Sequence, residues 1–292
     1  MKKAKKYGII AGTLALSAFL CACGEPNTST QDIEQPAVTG QVQQDEIIID
    51  MQSGEKELLL ADGKTLGLIY QCRYPVVTIP ENEEASQKIN DYVKIDLDEW
   101  ADSDLSESPD FGELAEEDKK ITLLDMAQNH FDSMAEFGEG TFHPYFEEQE
   151  YEVKTKNHQM ISFAVRFASY SGGAHGYNGY FGETFNTQTG EKLTLKDIAV
   201  HEEEFKNFCI DEIMSLSKED KYKYEGQSIF FEFYEEQVPE LMNDDSWYFA
   251  EDGLTFTANP YHLAPYAAGV LDFVIPYEDL KGIVQPQYLP DK

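Results

Sequence analysis

The spacing of apolar residues changes along this chain, and the change limits the folds open to it. Between residues 82 and 100, and again from about Glu113, apolar residues recur at helical spacing. From Tyr151 they alternate with polar residues, and after a turn at Asn157 the alternation continues through Phe167. Helices and strands therefore group separately, which predicts an α+β fold with mainly antiparallel sheet packed with several amphipathic helices.

The remaining elements follow from the same pattern. Leu68–Tyr74 predicts a strand that Pro75 and Pro80 stop, and Asn82 is the expected N-cap of the first helix. The second half predicts strands at 177–185 and 270–275, helices at 201–217 and about 227–241, and a hairpin at 247–256. The Asp252-Gly253 pair in that hairpin predicts a two-residue turn of the primed type.

The first 23 residues have the pattern of an export signal. Lysines precede an apolar stretch, Gly8–Leu20, that is shorter than the roughly 20 residues a membrane-spanning helix needs. Leu20-Cys21-Ala22-Cys23 resembles the bacterial lipobox, whose last cysteine receives diacylglycerol and becomes the mature N-terminus. We expect residues 1–22 to be removed and Cys23 to carry acyl chains, palmitate among them, on the extracytoplasmic face of the bacterial cell membrane. The alternative is an ordinary signal peptide that is cut elsewhere.

Composition predicts a stalk and an acidic folded part. Residues 23–56 are rich in Gln, Glu, Thr and Pro and predict a flexible stalk, with two joined halves after it at 57–165 and 166–292. Residues 1–22 hold four of the 22 basic residues and none of the 55 acidic ones, so the remaining chain carries a formal charge of −37. Such a charge disfavours nucleic acid as a partner and attracts cationic proteins.

Two cysteines remain once Cys21 is removed and Cys23 is acylated. Cys72 lies in a predicted strand, and Cys209 lies on the apolar face of a predicted helix. The pattern fits one disulfide and two buried thiols equally well.

Two loops combine glycine, aromatic residues and histidine where the flanking strands need only a turn. They span residues 169–180 and 259–269. Glycine lets the backbone approach a partner closely, and tyrosines on preordered loops provide large contact areas. The candidate ligand-binding residues are Ser171, Gly172, Gly173, His175 and Tyr177 in the first loop and Tyr261, Pro265 and Tyr266 in the second. The alternative is that both loops are structural corners with buried tyrosines.

No motif singles out a catalytic or cofactor site. The chain has neither a G-x-S-x-G elbow nor an H-E-x-x-H helix, and acidic residues are so frequent that no carboxylate pair stands out. A zinc-type Cys/His cluster, a calcium loop and a phosphate loop are all missing from the sequence. We therefore expect no catalytic residues, no cofactor and no bound metal.

Three segments, in order, resemble one family. They are Ser169–Gly176, Phe185–Ile198, and Leu263–Gly269 with the strand that ends at Tyr277. They resemble the extracellular domain of RsiV-type anti-sigma factors and a similar region that precedes the catalytic domain of PdaC-type peptidoglycan deacetylases. The resemblance covers about residues 66–284 and implies an ectodomain that binds lysozyme, a cationic wall hydrolase. The sequence shows no sigma-binding segment and no deacetylase domain, so we do not expect those activities to carry over.

The expected function is therefore that of a membrane-anchored binding or sensing module for lysozyme or another cationic envelope-active protein. The second hypothesis is a peptidoglycan-directed enzyme or enzyme accessory domain with His175 in a cleft. A concave pocket in which His175 meets a carboxylate would favour the enzyme, whereas loops on a convex or flat rim would favour the binder. A structural envelope lipoprotein without a small ligand is the third.

Overall fold

The fold combines a five-stranded sheet, helices on one of its faces and a second sheet of three strands. The computed structural model describes residues 46–80, 82–103, 105, 120–138 and 140–290, which fall within one compact unit, Gln44–Lys292. The mixture of helices with mostly antiparallel sheet confirms the predicted α+β class. The predicted signal segment and Cys23 lie outside the described residues.

The five-stranded sheet contains, in this spatial order, β1 (Ile48–Leu59), β2 (Leu66–Thr78), β3 (Tyr145–Lys156), β4 (Met160–Tyr170) and β5 (Tyr177–Asn186). Neighbouring strands are antiparallel except β2 and β3, which are parallel. A parallel pair needs a long crossover, and the chain makes it through α1 (Glu83–Val93), α2 (Leu97–Ala101) and α3 (Leu123–Phe137). The predicted boundary between two halves, at 165/166, lies inside β4.

The crossover helices begin where short polar side chains cap them. As predicted, Asn82 caps α1, because its side chain accepts a hydrogen bond of 3.2 Å from the Ala85 amide. The prediction of one helix over 82–100 is wrong, since the chain becomes extended at Lys94 and Asp96 caps a new helix.

The third helix is capped in the same way. Thr122 and Asp125 form a capping box, and the helix ends at Gly138 in the left-handed conformation. The start that the sequence predicts near Glu113 lies outside the described residues.

These helices cover one face of the sheet, which we call the helical face. α1 shares one apolar cluster with Phe163 and Val165 of β4, and α3 shares another with Leu68 and Tyr70 of β2. All four strand side chains are at most 2% exposed. Each fully buried side chain of this kind stabilises the fold by about 1.5–3 kcal/mol, so the helical face makes a large contribution to the stability of the sheet.

The C-terminal region builds a second core. It contains α4 (Leu195–Ile198), α5 (Glu202–Leu216), the short pair β6 (Lys223–Tyr224) and β7 (Gln227–Ser228), α6 (Tyr234–Gln237), and a sheet of β8 (Trp247–Phe249), β9 (Gly253–Ala258) and β10 (Leu271–Pro276). β9 lies between β8 and β10, and both pairs are antiparallel. α5 buries Phe205, Cys209 and Ile213, which recur every four residues, in the core that this sheet lines.

The C-terminal region attaches along the outer edge of β5. The Gly182 amide donates to the Asp245 carbonyl at 2.8 Å, and the Leu193 amide donates to the Thr184 carbonyl at 2.7 Å. A Cβ on Gly182 would overlap the Trp247 carbonyl oxygen, so glycine is what lets β8 approach. The edge that β5 would otherwise expose is thus paired with the C-terminal region.

The prediction of a stalk over 23–56 is wrong for its last part, and residues 23–45 lie outside the described residues. Residues 48–56 were expected within the stalk, but they belong to β1, which pairs with β2 over almost its whole length. The apolar cluster at 47–49 is the reason, because Ile47 and Ile49 pack with Val77 and Ile79 and anchor the strand.

Pro75 does not end the first predicted strand, which continues to Thr78. Pairing of β2 with β3 ends at Arg73, so the strand is bonded on one side only at Pro75, where a missing N–H is tolerated.

Two turn and helix predictions in the C-terminal region are also wrong. The hairpin of β8 and β9 is present, but neither Asp252 nor Gly253 has positive φ, so the turn is not of the primed type. The helix predicted over about 227–241 is instead β7, the single turn α6 and a 3-10 turn at Val238–Leu241. Pro239 cannot donate a helical hydrogen bond, so α6 does not continue through it as an α-helix.

Both cysteines in the described residues are buried free thiols. Cys72 lies in β2 and Cys209 in α5, and burial raises the pKa of each thiol. Of the two arrangements that the sequence left open, the structure therefore has the unpaired one.

A buried carboxyl group lies between the helical face and the C-terminal region. Glu183 of β5 is 5% exposed and accepts a 3.0 Å hydrogen bond from the Tyr151 hydroxyl. Burial raises the pKa of Glu183 above its ordinary 4.5, although the Lys192 ammonium opposes the shift. Because the folded protein holds this proton more tightly than the unfolded chain, stability is lost as pH rises from the ordinary pKa to the raised one.

We expect Glu183→Gln to be more stable than wild type at neutral pH, since it removes the cost of a buried charge. The gain should vanish towards about pH 4, where both proteins are uncharged at this position. Thermal unfolding of both proteins between about pH 4 and neutral pH measures the difference in stability. The control is Glu57→Gln, at an exposed position on β1. A Glu183→Gln protein that is less stable than wild type at every pH would contradict this account.

Candidate binding surface

The two loops predicted from the sequence lie against each other. The first loop (residues 171–176) joins β4 to β5, and the second loop (residues 259–270) joins β9 to β10. The His175 ring stacks on the Tyr266 ring with centroids 4.3 Å apart and an interplanar angle of 23°. The Tyr261 ring follows, 5.6 Å from that of Tyr266. We call this group, His175, Tyr177, Tyr261 and Tyr266, the two-loop surface.

Hydroxyl groups of the surface tyrosines bind the two loops together. The Tyr266 hydroxyl donates to the Gly176 carbonyl at 2.9 Å, and the Tyr177 hydroxyl donates to the Pro260 carbonyl at 3.5 Å. The Nδ1 atom of His175 lies 2.8 Å from the same Gly176 carbonyl. Each loop therefore fixes the backbone of the other, and the aromatic rings are held before any partner arrives.

Asn259 joins the second loop to the edge of β5. Its Oδ1 accepts from the Tyr180 amide at 2.7 Å, and its Nδ2 donates to the Tyr180 carbonyl at 2.9 Å. The side chain thus replaces a neighbouring strand at this point of the edge. A Cβ on Gly179 would lie 2.6 Å from Asn259 Oδ1, so glycine is needed beside it.

The backbone of the second loop turns sharply at Tyr261. The His262 amide donates to the Asn259 carbonyl at 3.0 Å, which closes the turn, and Tyr261 has φ of +70°. A non-glycine residue in this region costs on the order of 1 kcal/mol, which the surrounding contacts must offset. This conformation leaves the Tyr261 side chain 53% exposed at the rim.

Gly172 lies beside His130 of α3 and not beside the second loop. Gly172 has φ of +96°, and a Cβ there would lie 3.0 Å from the Tyr145 hydroxyl, which lies 3.2 Å from Nδ1 of His130. The Gly173 carbonyl accepts from the Tyr170 hydroxyl, and Ser171 is exposed. The predicted site residues therefore fall into two groups.

Exposure differs among the predicted site residues that lie at the contact between the two loops. His175 and Pro265 are exposed, whereas Tyr177 and Tyr266 are half-buried, and burial raises the pKa of Tyr177. Behind Tyr261, the His262 ring lies 3.5 Å from the Glu240 carboxylate, which is 70% exposed. The arrangement offers stacked rings beside negative charge, which suits a partner with basic and apolar side chains.

Sequence reasoning missed the residue that joins the loops. Asn259 was within the second loop but was not among the candidate site residues, because its partner is a backbone group and leaves no side-chain pattern. The available signal was a short amide side chain directly after a buried strand and before Pro260, a position that favours bonds to nearby backbone.

Two family models match separate parts of the chain. Residues 64–178 match the family model described as Deacetylase PdaC, and residues 186–278 match the one described as Protein of unknown function (DUF3298). The first match ends in the first residues of β5, and the second begins at the last residue of that strand. Among curated proteins, none matches the chain.

One solved structure shows a similar fold, and a second covers most of the chain at a lower TM-score. A DUF3298 family member from Bacteroides fragilis is similar with a TM-score of 0.54 and 15% identity, over 82% of this chain and 94% of that one. A DUF3298 family protein from Pseudomonas aeruginosa is also 15% identical, with a TM-score of 0.47, over 85% of this chain and 99% of that one. The first similarity supports the fold alone.

Two further properties concern the described residues. No helix among them is long and apolar enough to cross a membrane. In the same ranges, no group of three or more His, Cys, Asp or Glu side chains is arranged to hold a metal ion.

We expect Asn259→Ala to destabilise the protein by about 2 kcal/mol, since it leaves the Tyr180 amide and carbonyl without their partner. Urea unfolding measures the change. The matched control is Asn178→Ala, at an exposed position on β5, the strand that contains Tyr180. This substitution should alter stability by no more than about 0.5 kcal/mol. Equal effects of the two substitutions would show that Asn259 does not hold the second loop on β5.

Proposed function

We propose that this protein is a lipid-anchored lipoprotein on the extracytoplasmic face of the bacterial cell membrane, and that its two-loop surface binds a cationic envelope-active protein such as lysozyme. The observation that carries the proposal is the stack of His175 on Tyr266 beside exposed Tyr261. Rigid aromatic groups of this kind are frequent anchors of protein interfaces, because little side-chain entropy is lost on binding.

Charge supports the same class of partner. The chain carries a formal charge of −33 with its signal segment included. A cationic protein would be attracted from a distance, and its association rate should fall as salt rises. The match of residues 64–178 to the deacetylase-named family supports a site in the cell envelope, and Leu20–Cys23 supports an acyl anchor at Cys23.

The alternative is a peptidoglycan-directed enzyme or accessory domain, and it draws on the same deacetylase-named match. The surroundings of His175 support binding more than catalysis. In the described part of the chain its ring contacts the Gly176 carbonyl and Tyr266, and no carboxylate lies beside it to orient it as a base. Release of soluble fragments from purified cell wall by the pure protein would favour the enzyme.

The proposal is tested with lysozyme and the protein without residues 1–22, in which Cys23→Ser prevents acylation. We expect saturable binding in calorimetry at low salt, weaker binding at high salt, and about tenfold weaker binding by His175→Ala. His158→Ala is the matched control, because it lies in the exposed turn at the other end of β4. No binding at low salt would exclude lysozyme, and equal loss in both variants would show that contact is not made through the two-loop surface.

A further inference from the structure

The face of the sheet opposite the helices carries a row of polar side chains. In the strand register, Ser53 of β1, Arg73 of β2, Glu150 of β3 and Arg166 of β4 are successive partners. Beside them, Glu55, Gln71 and Glu148 form a second row on the same face. Because paired residues point to the same side of a sheet, these seven side chains share one surface, which we call the polar trough.

The polar trough has the shape of a binding site. A cleft of about 470 Å³ lies over its first three strands, between Ser53, Glu55, Gln71, Arg73, Glu148 and Glu150. The trough continues beyond this cleft to Arg166 on β4. Its length from Ser53 to Arg166 is three strand spacings of about 4.8 Å, or about 14 Å. The site is therefore long and open, which suits a chain of several units more than a single small molecule.

Ion pairs hold the trough side chains in place and cancel most of their charge. The sequence contains two arginines, Arg73 and Arg166, and both lie here. Arg73 contacts Glu150 at 3.0 Å, while Arg166 contacts Glu150 at 3.4 Å and also Glu148. In a strongly acidic protein this region is close to neutral, so it attracts neither a polyanion nor a polycation.

The paired groups keep unused hydrogen-bonding capacity. Arg73 is 48% exposed and Glu150 is 29% exposed, and a guanidinium with one such contact or a carboxylate with two still has free donors or acceptors. Gln71 Nε2 donates to Glu55 Oε2 at 2.6 Å, which leaves its carbonyl oxygen free to accept. Planar groups with fixed positions match neighbouring hydroxyls well.

An aromatic pair borders the polar groups on the same face. Phe146 and Tyr170 are partners in the register of β3 and β4, and their rings stack with centroids 6.3 Å apart. Both are half-buried. Tyr170 lies at the end of β4, where its ring also contacts Tyr145 at the border of the apolar cluster under α3. Such rings provide an apolar surface for the C–H face of a sugar, next to donors and acceptors for its hydroxyls.

We propose that the polar trough binds an uncharged, hydroxyl-rich oligosaccharide, as a second site separate from the two-loop surface. Sheet faces with this mixture of polar and aromatic side chains are used for oligosaccharides in other folds. The inference does not depend on the binding of a cationic protein.

The probe is the tetramer of N-acetylglucosamine, titrated into the protein without residues 1–22 by calorimetry and by NMR of the backbone amides. We expect saturable binding, shifts at amides of β2 and β3, and weaker binding of the dimer. Gln71→Ala should weaken binding about fivefold, the loss of one hydrogen bond. Gln52→Ala is the control, because it pairs with Tyr74 and points to the helical face.

The outcomes separate this proposal from the first one. Gln71→Ala should leave lysozyme binding unchanged, and His175→Ala should leave binding of the sugar unchanged. No saturable binding of the tetramer would overturn the proposal, as would equal loss in the Gln71 and Gln52 variants. Shifts at the trough amides caused by a lysine-rich peptide and not by the sugar would also overturn it.

Discussion

The rest of the structure depends on the way the C-terminal region closes the outer edge of β5. An edge strand presents unpaired N–H and C=O groups, which are costly to bury and prone to unwanted pairing. Here Asn259 pairs with Tyr180, Asp245 pairs with Gly182, and Leu193 pairs with Thr184. The same bonds that complete the sheet also bring the second loop to the first.

This closure explains why two segments almost 90 residues apart form one surface. The first loop is the connection into β5, and the second loop begins at Asn259, which bonds to the outer edge of that strand. Once Asn259 is bonded to Tyr180, Tyr266 reaches the Gly176 carbonyl and stacks on His175. The surface is therefore a consequence of sheet completion, and its rings need not be ordered by a partner.

The two faces of the five-stranded sheet have different tasks. Helices seal the helical face, where the strand side chains are large and apolar. The other face contacts β8 at Gly182 but stays accessible over β1, β2 and β3. The C-terminal region buries this second face at β4 and β5, where Ser162 and Ala164 are inaccessible, and leaves the polar trough open to carry hydrogen-bonding groups that a core would not tolerate.

Local signals were readable in the sequence, and long-range pairing was not. Asn82 was identifiable as a cap because its partner is three residues away, and the class followed from the two periodicities. The strand at 48–56 looked like a stalk, because its stability comes from Ile47 and Ile49 packing on a strand whose position the sequence does not show. Pro75 misled for the same reason, since it is tolerated only where β3 has stopped pairing with β2.

For the candidate site, too, the residue types could be read from the sequence but their spatial grouping could not. Histidine and tyrosine marked both loops, but nothing local showed that the loops meet or that Gly172 lies beside His130 of α3. The two arginines were visible in the sequence, yet their common face depends on a parallel pairing across the helical crossover. Residue types could therefore be proposed from the chain, whereas their grouping required the register.

Hydrogen exchange at the edge of β5 tests the central claim most directly. If the C-terminal region completes this sheet, the amides of Tyr180 and Gly182 should be protected nearly as strongly as those of β4 in the middle of the sheet. Exchange at the rate of the exposed Gly173 amide would contradict the account, because β5 would then be an open edge and the two loops would not be held together.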